Sequence, residues 1–316
     1  MPMVKRLHEL DFLKVFFIIL MIVFHLEYTA EGYPYITKAV YTFHMPAFLL
    51  ISGFLAKIDK DIISFYKGII KIVIPYIFFE VVYILMLSLF GSLFNASNIT
   101  SDFSIQNLIY SIFLAPKGLY WYLHTLILCT CVYYFISKIG LDSFSTLIIT
   151  AFILYLISKT TCQIKFYNSL YFLAGAGLGK LEKPFTSLFP RHPLIILPLI
   201  FLFSYESNLD RSTLGGIAIT FLMISLCLYI YKYLPSRIND LVKFLGRNTL
   251  TIVVFSPIFT VCSKSLAPLF IFDSTNIVAI IISTSITLIG CFICARISDK
   301  IKFSKLIFRR ENLLVS

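Results

Sequence analysis

Long apolar runs recur along the whole of this chain, separated only by short charged or Gly/Pro-containing breaks, and that pattern leaves few folds open. Several runs are long enough to cross about 30 Å of hydrocarbon as helices. Of the 316 residues, 59% are hydrophobic and 14% are charged, whereas an ordinary soluble domain carries roughly 25% charged residues. Lipid is therefore the expected solvent. The expected fold class is an all-α polytopic membrane protein, a single membrane-embedded domain over 1–316 with about ten transmembrane helices. The spans read as 11–29, 39–56, 69–94, 119–137, 143–158, 166–179, 192–205, 213–234, 248–270 and 276–295.

Basic residues set the expected orientation, because short cytoplasmic loops collect Lys and Arg. With the N-terminus inside, the cytoplasmic set holds Lys5, Arg6, Lys57, Lys60, Lys67, Lys71, Lys138, Lys180, Lys183, Arg191, Lys232, Arg237, Lys243, Arg247, Arg296, Lys300, Lys302, Lys305, Arg309 and Arg310, which is 20 of the 27. Outside fall Lys38, Lys117, Lys159, Lys165, Arg211 and Lys264, and Lys14 lies within the first span. Both termini are thus expected in the cytoplasm, and the net charge of +11 faces anionic headgroups, with no nucleic acid as partner. The first span carries Asp11, Lys14 and His25 and lacks a small-residue cleavage site, so it reads as a retained helix rather than a signal peptide. The cysteines fall mostly inside spans and read as small buried apolar residues; Cys291 and Cys294 lack a second pair of ligands nearby, so no metal is expected. Segment 91–118 reads as an external loop, in which Asn95 and Asn98 match a glycosylation pattern.

An ionisable group at the centre of a membrane helix costs roughly 2.5–3.5 kcal/mol for Asp, Lys or Arg, so each one needs a reason. Asp11 and Lys14 are three apart and can pair on one face. His25 follows Lys14 by eleven residues, almost three turns at about 3.6 residues per turn, so the two share a face about 16 Å apart along the axis. A cation near the cytoplasmic edge and an imidazole deep in the outer half suit a long ligand with an anionic head and a reactive far end, such as coenzyme A. Lys14 snorkelling to the interface and His25 packing between helices would explain the same residues. His44 adds weight to the first reading, since it belongs to the next span on the side where the first span ends, and both imidazoles can line one cavity.

The run Leu10-Asp-Phe-Leu-Lys14, with ten residues between Lys14 and His25, resembles the acyltransferase-3 signature of a basic residue, ten others and a histidine. The segment from Phe43-His-Met-Pro-Ala-Phe48 to Ile51-Ser-Gly-Phe54 is similar to that family's second-helix motif, especially in relatives of fucose 4-O-acetylase. Lys67, Lys71, Pro75 and Tyr76 resemble its basic start of the third helix, Tyr120-Trp-Tyr-Leu123 its Trp-Phe-Leu box, and Leu245-Gly-Arg-Asn-Thr-Leu250 the glycine-polar start of a late helix. Where many members have a histidine before a proline in that late helix, this chain has Ser256, whose hydroxyl cannot act as a base near neutral pH.

The resemblance implies transfer of acetyl from acetyl-CoA to a carbohydrate hydroxyl of a surface polysaccharide or its lipid-linked precursor, in a bacterial cytoplasmic membrane. His25 is then expected as general base, because neutral imidazole suits proton removal near pH 7. His44 would orient the acceptor or stabilise the oxyanion. Lys14, held by Asp11, would attract a CoA phosphate, with Lys67 and Lys71 as further phosphate partners. Trp121, Tyr122 and Ser52 are candidate acceptor contacts, with an interfacial aromatic belt and helix packing as the alternatives. His124 is ambiguous, and Glu80 requires a partner, either Lys14 or a hydroxyl. Rival classes are a transporter or flippase of a polysaccharide precursor without acyl chemistry, and a membrane scaffold for polysaccharide assembly.

Overall fold

The structure is a computed structural model and describes residues 8–90, 104–161 and 163–315. Every regular element among them is helical. In chain order the α-helices are α1 His8–His25, α2 Glu27–Gly32, α3 Pro34–Phe54, α4 Ile62–Phe90, α5 Ile105–Phe113, α6 Trp121–Ser137, α7 Ser143–Thr160, α8 Phe166–Gly179, α9 Ile196–Phe203, α10 Leu214–Tyr231, α11 Ser236–Arg247, α12 Thr249–Cys262, α13 Ile277–Lys300 and α14 Phe303–Ile307.

Each of the ten expected spans corresponds to a helix, although their lengths differ. Five are long and apolar enough to cross a membrane: α4, α6 with the turn before it, α7, α10 and α13, and the bent pair α11 and α12 makes a sixth if it is one span. Pro193–Phe203, within the expected span 192–205, is shorter; at about 1.5 Å per residue it covers about 16 Å.

Several helices begin where local chemistry requires. Asp142 accepts from the N–H groups of Phe144 and Ser145 at 2.9 and 3.0 Å and Thr213 accepts from Gly216 at 3.0 Å, each satisfying amides that the first turn leaves open. The expected first span 11–29 is broken: Leu26 adopts an extended conformation, so α1 ends at His25 and α2 starts anew. The expected loop 91–118 contains α5, capped by Ser104; Asn95 and Asn98 lie outside the described residues.

α1 lies at the centre, packed against α3, α10, α11, α12 and α13. The tightest crossing is α3 on α8. A Cβ on Gly53 would overlap the Phe172 carbonyl, and one on Gly175 would overlap the Leu50 carbonyl, so hydrogen alone fits at both positions. Small residues allow backbones this close where lipid supplies no hydrophobic drive between helices.

α12 departs from α11 by 80°. Asn248 at the corner is buried; its Nδ2 donates to the carbonyls of Phe244 and Val315 at 2.8 and 3.0 Å, and its Oδ1 accepts from the Val315 N–H at 2.9 Å. The Asp299 carboxylate takes the N–H groups of Leu313 and Leu314 at 2.7 and 3.2 Å, so the chain after α14 is tied back onto the bundle.

Candidate active site

The last turn of α1 meets the first half of α3, and the two expected histidines come together there. Their ring centroids are 6.3 Å apart. His25 Nδ1 lies 2.7 Å from the Met21 carbonyl, and His44 Nδ1 lies 2.7 Å from the Val40 carbonyl, each one helical turn back. A carbonyl oxygen only accepts, so both Nδ1 atoms carry protons, and in its neutral form each ring presents a bare Nε2 lone pair. His44 is buried and its Nε2 has no partner among the described residues. A buried acceptor without a donor costs about 1–3 kcal/mol. That expense fits an atom meant to receive a hydrogen bond from a ligand.

Tyr41, one turn before His44, completes a three-ring cluster with its centroid 5.4 Å from each imidazole. Its hydroxyl donates to the Phe24 carbonyl at 2.7 Å. The final carbonyls of a helix lack intrahelical partners, so this bond fixes the end of α1, and with it His25, against α3. Tyr41→Phe is expected to lower turnover by about fivefold, the rate equivalent of one hydrogen bond of about 1 kcal/mol. KM for the acyl donor should stay unchanged, and initial rates at varied donor concentration check both values.

A family model described as an acyltransferase domain matches residues 7–296. The chain belongs to the acyltransferase-3 family. No curated protein and no solved structure matches it. The protein is therefore an integral membrane acyltransferase, and the resemblance carried by Lys14, His25 and the His44 run holds over most of its length.

At the other end of α1 in this acyltransferase, Lys14 Nζ lies 3.3 Å from Asp11 Oδ1, with Asp11 buried and Lys14 one-fifth exposed. The glycine-polar segment after Leu245 now has a local purpose: a Cβ on Gly246 would come within 2.8 Å of the Asp11 Cα, so glycine lets the end of α11 lie directly on the Asp11 turn. Lys67 and Lys71 are on α4, which packs against α5, α6, α12 and α14 rather than among the principal neighbours of α1.

The candidate acceptor contacts divide. Ser52 Oγ and the Tyr122 hydroxyl are 2.9 Å apart and satisfy each other between α3 and α6. Trp121 instead lies beneath the Arg211 guanidinium, 5.5 Å from its ring centre. Among the described residues Glu80 bonds neither Lys14 nor a hydroxyl: its Oε1 accepts the Lys117 backbone N–H at 2.6 Å. His124 Nε2 donates to the Phe113 carbonyl at 3.1 Å, which ties α6 to α5. Ser256 is fully buried on α12, and its hydroxyl has no partner among the described residues. The six described cysteines are free thiols, and Cys162 lies outside the described residues.

Two neighbours of the pair escaped the sequence reading. Tyr41 stood beside the recognised motif, but its bond to Phe24 is a tertiary fact. Arg211 looked like an ordinary external loop cation; it lines, with Tyr41, Lys38, Thr42, Lys165 and Tyr167, a cavity of about 450 Å³ beside the histidine cluster.

Proposed function

We propose that this acyltransferase moves an acetyl group from acetyl-CoA to a hydroxyl of a carbohydrate, a surface polysaccharide or its lipid-linked precursor, in a bacterial cytoplasmic membrane. The observation that supports it most is the imidazole pair, with both Nδ1 atoms committed to helix carbonyls and both Nε2 lone pairs directed away from them. His25 Nε2 removes the proton of the acceptor hydroxyl as the oxygen attacks the thioester carbonyl carbon. The tetrahedral intermediate then collapses, the C–S bond breaks, and the leaving thiolate recovers the proton from the His25 imidazolium, which returns the base to its starting state.

His44 serves the acceptor rather than the oxyanion. A neutral ring that donates through Nδ1 to Val40 has only an accepting nitrogen left, so it can hold a sugar hydroxyl but has no proton to give an oxyanion. Lys14, braced by Asp11, offers a point charge to a CoA phosphate about 16 Å from His25 along the helix. Lys67 and Lys71, on α4, are further phosphate partners in this reading.

The direct test is incubation of labelled acetyl-CoA with proteoliposomes and a glycan extract. The reading expects label in the glycan and free CoA in equal amount; a transporter would move glycan with no labelled product, and that outcome would end the enzyme reading for those glycans.

The charge asymmetry supports ten crossings with both termini in the cytoplasm. Single cysteines placed at Asp142 and Glu206 in a cysteine-free background test it. An impermeant thiol reagent applied to intact cells should label position 206 and leave 142 unlabelled; the reverse result would invert the topology.

A further inference from the structure

Arg211 is fixed on the loop between α9 and α10. Its carbonyl accepts the Tyr171 hydroxyl at 2.7 Å. Asp210 beside it takes both the N–H and the hydroxyl of Ser212 at 2.7 Å, and a Cβ on Gly216 would meet the Arg211 Cα at 2.9 Å, so α10 starts in contact with this backbone. The half-buried guanidinium lies 5.5 Å from the ring centres of both Trp121 and Tyr167 and makes no ion pair among the described residues.

The surrounding charge is positive. Lys38 is matched by Glu206 at 2.6 Å, and the hydrogen bond and charge of Lys38 hold that carboxyl below its ordinary pKa. The N–H and hydroxyl of Ser212 do the same for Asp210. With that pair neutralised, Lys165 and Arg211 outweigh Asp210 around the cavity.

Arg211 and Tyr167 also line a second space. It is a groove of about 450 Å³ whose other walls, Phe144, Ile148, Leu170, Ala174 and Ile217 among them, are almost entirely hydrocarbon. A polar cavity leading to Tyr41 and an apolar groove among α7, α8 and α10 therefore meet at one rigid guanidinium.

We propose that Arg211 binds the phosphate of a lipid-linked sugar, whose hydrocarbon tail lies in the groove and whose sugar points through the polar cavity toward His25 and His44. This rests on the acetyl-transfer reading for the sugar's purpose. A free polysaccharide would leave the groove without use, and a simple phospholipid would leave the polar cavity without use; a phosphate joined to both a tail and a sugar uses each. Guanidinium matches phosphate oxygens in a two-point contact that an ammonium cannot reproduce.

The test measures binding of labelled polyprenyl phosphate to the full-length protein in nanodiscs without acetyl-CoA, so its outcome is independent of catalysis. Arg211→Gln should weaken binding by at least about tenfold, the loss of one charge-assisted contact, with Arg211→Lys intermediate. Ala174→Trp, at an exposed position inside the groove, should weaken it comparably without touching the guanidinium. Phosphatidylglycerol should compete poorly. Equal competition by phosphatidylglycerol would make this an ordinary bilayer-lipid groove, and full binding by both Arg211→Gln and Ala174→Trp would overturn the site. If binding fails while glycan acetylation persists, this inference falls alone; if binding holds while acetylation is absent, only the acetyl-transfer reading falls.

Discussion

His25→Ala is expected to reduce acetyl transfer by about 10²–10⁴-fold, the usual contribution of a positioned general base. The loss should appear in kcat, with KM for acetyl-CoA little changed, because Lys14 and Asp11 at the other end of α1 remain intact. Folding should survive, since His25 is only partly buried and its bond runs to its own helix. His44→Ala should cost less and raise KM for the acceptor if, as proposed, the ring orients a hydroxyl without taking its proton. Measured kcat and KM for both variants separate the roles. Equal losses in kcat with unchanged acceptor KM would mean that the two rings act as one unit.

Gly53→Ala is expected to destabilise the protein by about 3 kcal/mol, the upper end of the usual cost of overpacking a core. The added methyl would collide with the Phe172 carbonyl, a backbone atom of α8 that no side-chain rotamer can move aside. Separating the helices would also loosen the mirror contact of Gly175 with Leu50 and carry α3, with His44 on it, away from α1. Thermal unfolding in detergent should show the loss, and Gly68→Ala on α4, where open space surrounds the site, should show almost none.

Much of this arrangement was legible before any coordinates. Hydropathy located all the long helices because a membrane helix must be continuously apolar, and the ionisable residues within those runs led to His25, His44 and the Asp11–Lys14 pair. What hydropathy could not find were α2, α5, α11 and α14, which are short or carry charges such as Asp240 and Lys243 and so do not register as apolar runs. Contacts between distant segments were also hidden. Nothing near Glu80 in sequence points to the Lys117 amide, and Arg211 lines the cavity with Tyr41 only because the loop after α9 folds back over Trp121 and Tyr167.

The most direct measurement is mass spectrometry of surface glycans from cells carrying the intact gene, a deletion, or His25→Ala at matched membrane expression. Acetyl transfer with His25 as base requires an acetyl mass increment with the intact gene that disappears equally in the other two. An increment lost on deletion but retained in His25→Ala would contradict the assignment of the base, and identical glycans in all three would contradict acetyl transfer to those glycans altogether.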